Sequence, residues 1–215
     1  MKRPNHVEMY DQKTAIAEFL DATAARQPTP GGGAVAALAG ALAAAIGEMV
    51  LNYSLDKKGL EIYQEDFEIA VHELHCGREM MLMLMVEDQT AYATLNAIKK
   101  QPEGPERDAE YAKALRASIV TPQSMAATAI ALLGVCERVA DFVNWYLLSD
   151  LAVCAELAMA TARCAAYNVR VNLPELKDVV ERAKIESELT QMLARGIEAI
   201  QRVIPHIWSR IANAP

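Results

Sequence analysis

The sequence predicts an all-α fold, an antiparallel bundle of about six to eight helices in one domain, on three observations. Apolar residues make up 53% of the 215-residue chain and aromatics only 6%, the surplus being Ala, Leu and Met, which favour helix over strand. Apolar positions recur with helical period, and few segments alternate apolar and polar residues over strand length. No convincing hairpin turn appears. The length suits one core, so residues 1–215 are expected to form a single domain.

The first amphipathic helix is expected over Thr14 to Ala25, stopping before Pro28 because residues ahead of proline avoid the α region. Pro28-Thr29-Pro30-Gly31-Gly32-Gly33 then runs into an Ala-rich helix over 34–53. The prolines fix the chain direction, and the glycines allow close approaches that a Cβ would block. The first helical N–H groups have no intrahelical acceptor, so an anionic or electron-rich ligand can use them. A glycine-rich entry that only lets two helices pack closely has the same pattern. The Ala-rich run is about long enough to span a bilayer. It carries Glu48 and ends at Asn52, which predicts a buried helix and no membrane partner. Gly33, Gly40 and Gly47 form a small-residue stripe suited to a neighbouring helix or a subunit interface. Lys57 and Lys58 follow the helix end, where the dipole favours cations. They are solvated caps unless the ligand is anionic.

A long helix is expected from about Glu61 to Lys100, with Phe67, Ala70, Val71, Leu74, Met81, Leu84 and Met85 as its apolar stripe. Asp88 falls on that stripe, turning a carboxylate toward the core. An unpaired buried carboxylate is costly, so Asp88 needs a partner, a cavity or a ligand. A structural cap or salt bridge meets that need as well as a catalytic role does. His72, His75, Cys76 and Glu79 share the opposite face. Without a matching ligand segment they read as solvated surface, and no metal is expected.

Gln101 to Glu106 is dense in helix breakers and joins helices. Helix is expected to resume through Tyr111 to Ile119, stop near Pro122, and restart from Ser124 to about Tyr146. Ser149-Asp150 opens the next helix, where a hydroxyl and a carboxylate suit free N–H groups. Asn168 and Asn172 continue a polar thread near the Asp150 face, up to Pro174. Helix rise places Asp150 roughly 27 Å from Asn168, so the two serve opposite ends of a ligand or different subunits. The segment 176–211 reads as one or two amphipathic helices interrupted at Pro205, with Trp208 as an anchor.

A net charge of −7 argues against nucleic-acid binding and for a small-molecule or protein partner. Cys76, Cys136, Cys154 and Cys164 form no CxxC pair, and Met1-Lys2-Arg3-Pro4 leads into polar sequence without an apolar signal core. Four free thiols in a reducing cytoplasm are expected.

Three blocks together resemble one family. They are Pro28 to Val50, PTPGGGAVAALAGALAAAIGEMV; Asp88-Gln89-Thr90-Ala91-Tyr92; and Ser149-Asp150-Leu151 with Ala166-Tyr167-Asn168-Val169-Arg170-Val171-Asn172-Leu173. In this order they resemble the cyclodeaminase/cyclohydrolase family, which includes the C-terminal half of formiminotransferase-cyclodeaminase and stand-alone methenyltetrahydrofolate cyclohydrolases. The chain departs from it at Asp56, where the family usually has Gly before two basic residues, and after Lys100, where the family's Leu-Pro-Lys is missing.

The resemblance implies a helical homodimer that acts on tetrahydrofolate one-carbon adducts without a metal or a tightly bound cofactor. On that implication Asp88 or Asp150 supplies a catalytic carboxylate, Asp88 being preferred for its core-facing position. Asn168 and Asn172 meet the pterin edge, while Pro30 and the Gly31, Gly32 and Gly33 amides orient the folate. Lys57 and Lys58 meet the glutamate carboxylates. Cyclohydrolase activity on the 5,10-methenyl bridge is the first expectation, since the chain carries no formiminotransferase domain. Cyclodeaminase activity on a 5-formimino adduct and a helical module that binds folate or a protein without turnover are the alternatives.

Overall fold

The helical periodicity is realised as six α-helices in the computed structural model, which describes residues 8–213. They are α1 (Ile16–Ala24), α2 (Gly32–Asn52), α3 (Gln64–Lys99), α4 (Pro105–Val139), α5 (Leu148–Asn172) and α6 (Val179–Ala212). Short 3₁₀ turns precede α3 and α5 and follow α5, and the described residues contain no strand. The Met1-Lys2-Arg3-Pro4 segment lies outside the described residues.

Helices α2, α3, α4 and α5 form a closed ring of neighbours, and α6 lies along α4 and α5. The glycine stripe sets how tightly the ring closes. A Cβ at Gly40 would fall 2.8 Å from Met81 Sδ and 3.0 Å from Thr161 Cγ2. One at Gly47 would fall 3.0 Å from both Cys154 Sγ and Leu74 Cδ1. Both α3 and α5 therefore run antiparallel to α2 and press against its backbone. The stripe is used within the chain, because these two helices occupy it. Its enclosed alanines include Ala34, Ala37, Ala43 and Ala44. Larger side chains such as Phe67, Leu74, Met81, Leu133, Leu148 and Met159 fill the remaining core. By length and mean hydropathy, 2.0 and 1.6, α2 and α4 each match a membrane span, yet 56% of each such window is buried among the other helices.

Two expected breaks do not occur. Helix α4 passes through Pro122 and α6 through Pro205, each as one element. Pro122 lacks the N–H that would serve the Ser118 carbonyl. That carbonyl accepts instead from Asn172 Nδ2 at 3.0 Å, so packing of α5 on α4 compensates the local defect. Trp208 is 62% exposed and does not anchor α6; Leu189, Val203 and Ile207 do. Arg116–Glu181 and Arg202–Glu137 pairs hold α6 parallel to α4 along its length.

Candidate functional site

The site begins where α2 lacks a cap of its own. Gly31 is the extended residue before the helix and offers no side chain, so the leading N–H groups of α2 remain available. Asp88 of α3 reaches this helix entry from the neighbouring helix, where the Ala34 amide meets its carboxylate. A Cβ at Gly33 would overlap its carboxylate, so glycine is what lets the acid sit on the helix entry. Burial pushes the Asp88 carboxyl up to about 6, and the Ala34 backbone amide draws it partly back. A carboxyl poised near neutrality beside free N–H donors is equipped to move protons and to face a cation.

Gln89, next to Asp88, is fully buried and pins the N-terminal segment to α3. Its Nε2 donates to Tyr10 O at 2.8 Å and Met85 O at 3.0 Å, while its Oε1 accepts from Tyr10 N–H at 3.0 Å. Gln27 Nε2 donates to the Tyr10 hydroxyl at 3.1 Å and to Thr29 O at 2.7 Å. This mesh holds the Thr29–Pro30 approach, whose peptide bond is cis, against the site. Gln89→Ala removes the partners of two backbone groups at once. It should lower unfolding stability by about 3 kcal/mol in a urea titration, from the usual cost of unmet buried polar groups.

In front of Asp88 lies a cavity of about 320 Å³. Gly31, Gly32 and Gly33 line one side, Asp88 and Tyr92 another, and Asn168, Asn172 and Ser118 a third. Lys99 stands at its edge, with Nζ held by Glu175 at 2.9 Å. The Tyr111 hydroxyl also donates to Glu175, and burial, followed by that carboxylate, pushes the phenol up to about 12. Asn168 Nδ2 donates to Cys164 O at 2.9 Å, and Asn172 Nδ2 to Asn168 O at 3.0 Å.

The structure thus brings together Gly31, Gly32, Gly33, Asp88, Asn168 and Asn172, with Pro30 buried directly before the glycines. It does not bring Asp150, Lys57 or Lys58 to them. Helix α2 separates Gly32 from Lys57 by roughly 30 Å, and Asp150 lies half-buried in the first turn of α5, at the far end from Asn168. Lys57 Nζ bonds Asn144 Oδ1 and sits 4.8 Å from the Tyr146 ring centre, while Lys58 is exposed. Sequence reasoning overlooked Gln89, Lys99 and Ser118. A signal for Lys99 existed, because Asp88, Tyr92, Asn96 and Lys99 follow one another at helical spacing. Elsewhere, His75 and Arg78 pair with Glu48 at 3.6 and 2.7 Å. Among the described residues no three His, Cys, Asp or Glu side chains form a group that could hold a metal ion.

The formiminotransferase-cyclodeaminase family profile matches residues 15–191, which take in α1 to α5 and the whole cavity. The chain belongs to this family. Its resemblance to the cyclodeaminase/cyclohydrolase group is therefore borne out. Relatives in the family include a methenyltetrahydrofolate cyclohydrolase of Methylorubrum extorquens, 28% identical over 201 residues that cover 91% of this chain and 97% of that protein. A formimidoyltransferase-cyclodeaminase of Mus musculus is 28% identical over 185 residues, covering 84% of this chain but 34% of the mouse protein. The chain thus spans about a third of that longer relative. The crystal structure of a formiminotetrahydrofolate cyclodeaminase from Thermotoga maritima superposes with a TM-score of 0.86 at 31% identity, covering 92% of this chain and 97% of that one.

Proposed function

We propose that this chain is an enzyme of tetrahydrofolate one-carbon metabolism, most directly a 5,10-methenyltetrahydrofolate cyclohydrolase. The observation that carries the reading is the Asp88 carboxyl, held near neutrality on the open N-terminus of α2 inside a cavity. The methenyl bridge is a cationic carbon between two nitrogens. A carboxylate stabilises that charge and accepts a proton from the attacking water. Hydroxide adds to the bridging carbon to give a carbinol, the N5–carbon bond breaks with N5 taking a proton while the carbinol O–H loses its own to become the formyl C=O, and 10-formyltetrahydrofolate leaves with net release of one proton. Support comes from the near full-length match to a protein named as a cyclohydrolase.

Cyclodeaminase activity is the second reading, favoured by the likeness to the Thermotoga maritima structure. There N10 attacks a formimino carbon and ammonia departs, so Asp88 must act as an acid as well as a base. Asp150, Lys57 and Lys58 take part only if a second copy brings them to the cavity, and this gives a homodimer its functional sense. No metal or tightly bound cofactor takes part in this mechanism, and the expected setting is the cytoplasm. The discriminating experiment offers the purified protein both compounds. Accelerated loss of methenyl absorbance above the spontaneous rate is expected. Ammonia release from the formimino compound alone would establish the second reading, and binding without turnover of either would leave only a folate-binding module.

A further inference from the structure

Asn172 presents only a hydrogen-bond acceptor to the cavity, and Asn168 sets its own Oδ1 beside it. One Asn168 Nδ2–H is committed to Cys164 O, whereas both Asn172 Nδ2–H groups are committed, one to Asn168 O and one to Ser118 O. All three partners are carbonyls, which can only accept. The amide nitrogens must therefore face the backbone, and each Oδ1 is left without a claim on its lone pairs from these contacts. Both residues line the cavity beside Asp88, whose carboxylate oxygens are acceptors too.

Ser118 is the informative partner. In an uninterrupted helix its carbonyl takes the N–H four residues on, which here belongs to Pro122 and does not exist. Pro122 is buried inside α4, where its ring has no local advantage and is much less favourable than alanine in a helix interior. What the proline achieves is across the bundle: an orphaned carbonyl that only a donor from outside α4 can satisfy, and Asn172 supplies it at 3.0 Å.

We propose that Pro122 is a positioning residue: by withholding an N–H from Ser118 it locks Asn172 as an acceptor which, beside the oxygens of Asn168 and Asp88, forms a wall that selects a ligand edge made of N–H donors. The inference rests on the folate reading and sharpens it. A tetrahydropterin carries such an edge in its 2-amino group and ring N–H groups, and a ring whose 2-amino group is replaced by methyl has lost part of it. The Gly32 and Gly33 end of α2 faces the same cavity with backbone donors, matching the carbonyl side of such a ring.

The test compares 5-formyltetrahydrofolate with its 2-desamino-2-methyl analogue by calorimetric titration, on wild-type protein and on Pro122→Ala. Wild type should favour the amino compound by about tenfold or more, the usual worth of a well-made hydrogen bond to a polar site. In Pro122→Ala the new N–H returns to Ser118, Asn172 is released, and the preference should shrink to about threefold or less while the melting midpoint holds or rises. A merely structural proline would lower the midpoint and leave the preference intact, which overturns the proposal. Should Pro122→Ala fail to fold, the wild-type comparison still decides, with Asn172→Ala expected to lose the preference. Equal binding of the two compounds by an active wild-type enzyme overturns the acceptor wall but leaves the folate reading standing. Binding of neither overturns both.

Discussion

Asp88→Asn should lower kcat/KM for the one-carbon substrate by about a hundred- to ten-thousandfold, the range for loss of a general base. The same change should make the protein more stable at neutral pH. Folding lifts the Asp88 carboxyl from 3.8 to about 6 because burial disfavours its charge. Between those values the folded chain keeps a proton that the unfolded chain releases. Stability therefore falls as pH rises from about 4 to 6, and above 6 the full penalty, about 3 kcal/mol, is present. Asparagine cannot ionise, so the variant escapes this cost. Urea unfolding should show it more stable than wild type at pH 7.5 and nearly equal near pH 4. A variant that is less stable at pH 7.5 would mean that the carboxylate is a structural cap. A gain in stability with loss of activity is the signature of a residue kept for function.

Gly33→Ala should be nearly as damaging to activity, by about a hundredfold or more, since small misplacements of a catalytic group cost that much. The backbone at Gly33 is helical and accepts any L-residue, so on its own the substitution would favour α2. The obstacle is the Asp88 carboxylate, which the new methyl group would overlap. The acid must swing off the helix entry, losing both its amide partner and its aim into the cavity. Steady-state kinetics on Gly33→Ala, Asp88→Asn and the double variant should show strong non-additivity, the double being little worse than Asp88→Asn alone. Wild-type turnover by Gly33→Ala would show that Asp88 does no chemistry at this place.

Helices α2 and α3 were legible because each carries its period in its own residues. Asp88 was legible for a related reason: a carboxylate on an apolar stripe conflicts with its surroundings, and such conflicts mark function. The glycine stripe announced a close approach but not its partner, because spacing along one helix says nothing of which helix arrives. It proved to be α3 and α5 of the same chain. Pro122 misled for the opposite reason. Local propensity ends a helix there, and the side chain that compensates, Asn172, comes from 54 residues beyond the Ser118 carbonyl it serves. Gln89 was overlooked because its partner, Tyr10, lies 79 residues distant. Lys57 and Lys58 fitted an anionic ligand by charge, yet charge alone does not tell which end of a roughly 30 Å helix faces the cavity lined by Asp88. Asn168 and Asn172 were recognised as polar, but that the Asn172 amide would keep only its oxygen free depended on contacts that only the folded bundle makes.

The most direct measurement follows kcat/KM for hydrolysis of 5,10-methenyltetrahydrofolate from pH 5 to 8, corrected for the spontaneous rate, in wild type and Asp88→Asn. Because kcat/KM reports the free enzyme, wild type should rise along a single limb with an apparent pKa of about 6 and then level off, and the variant should lack the limb. A flat wild-type profile, or the same limb in Asp88→Asn, would contradict a base role for Asp88 in this cavity.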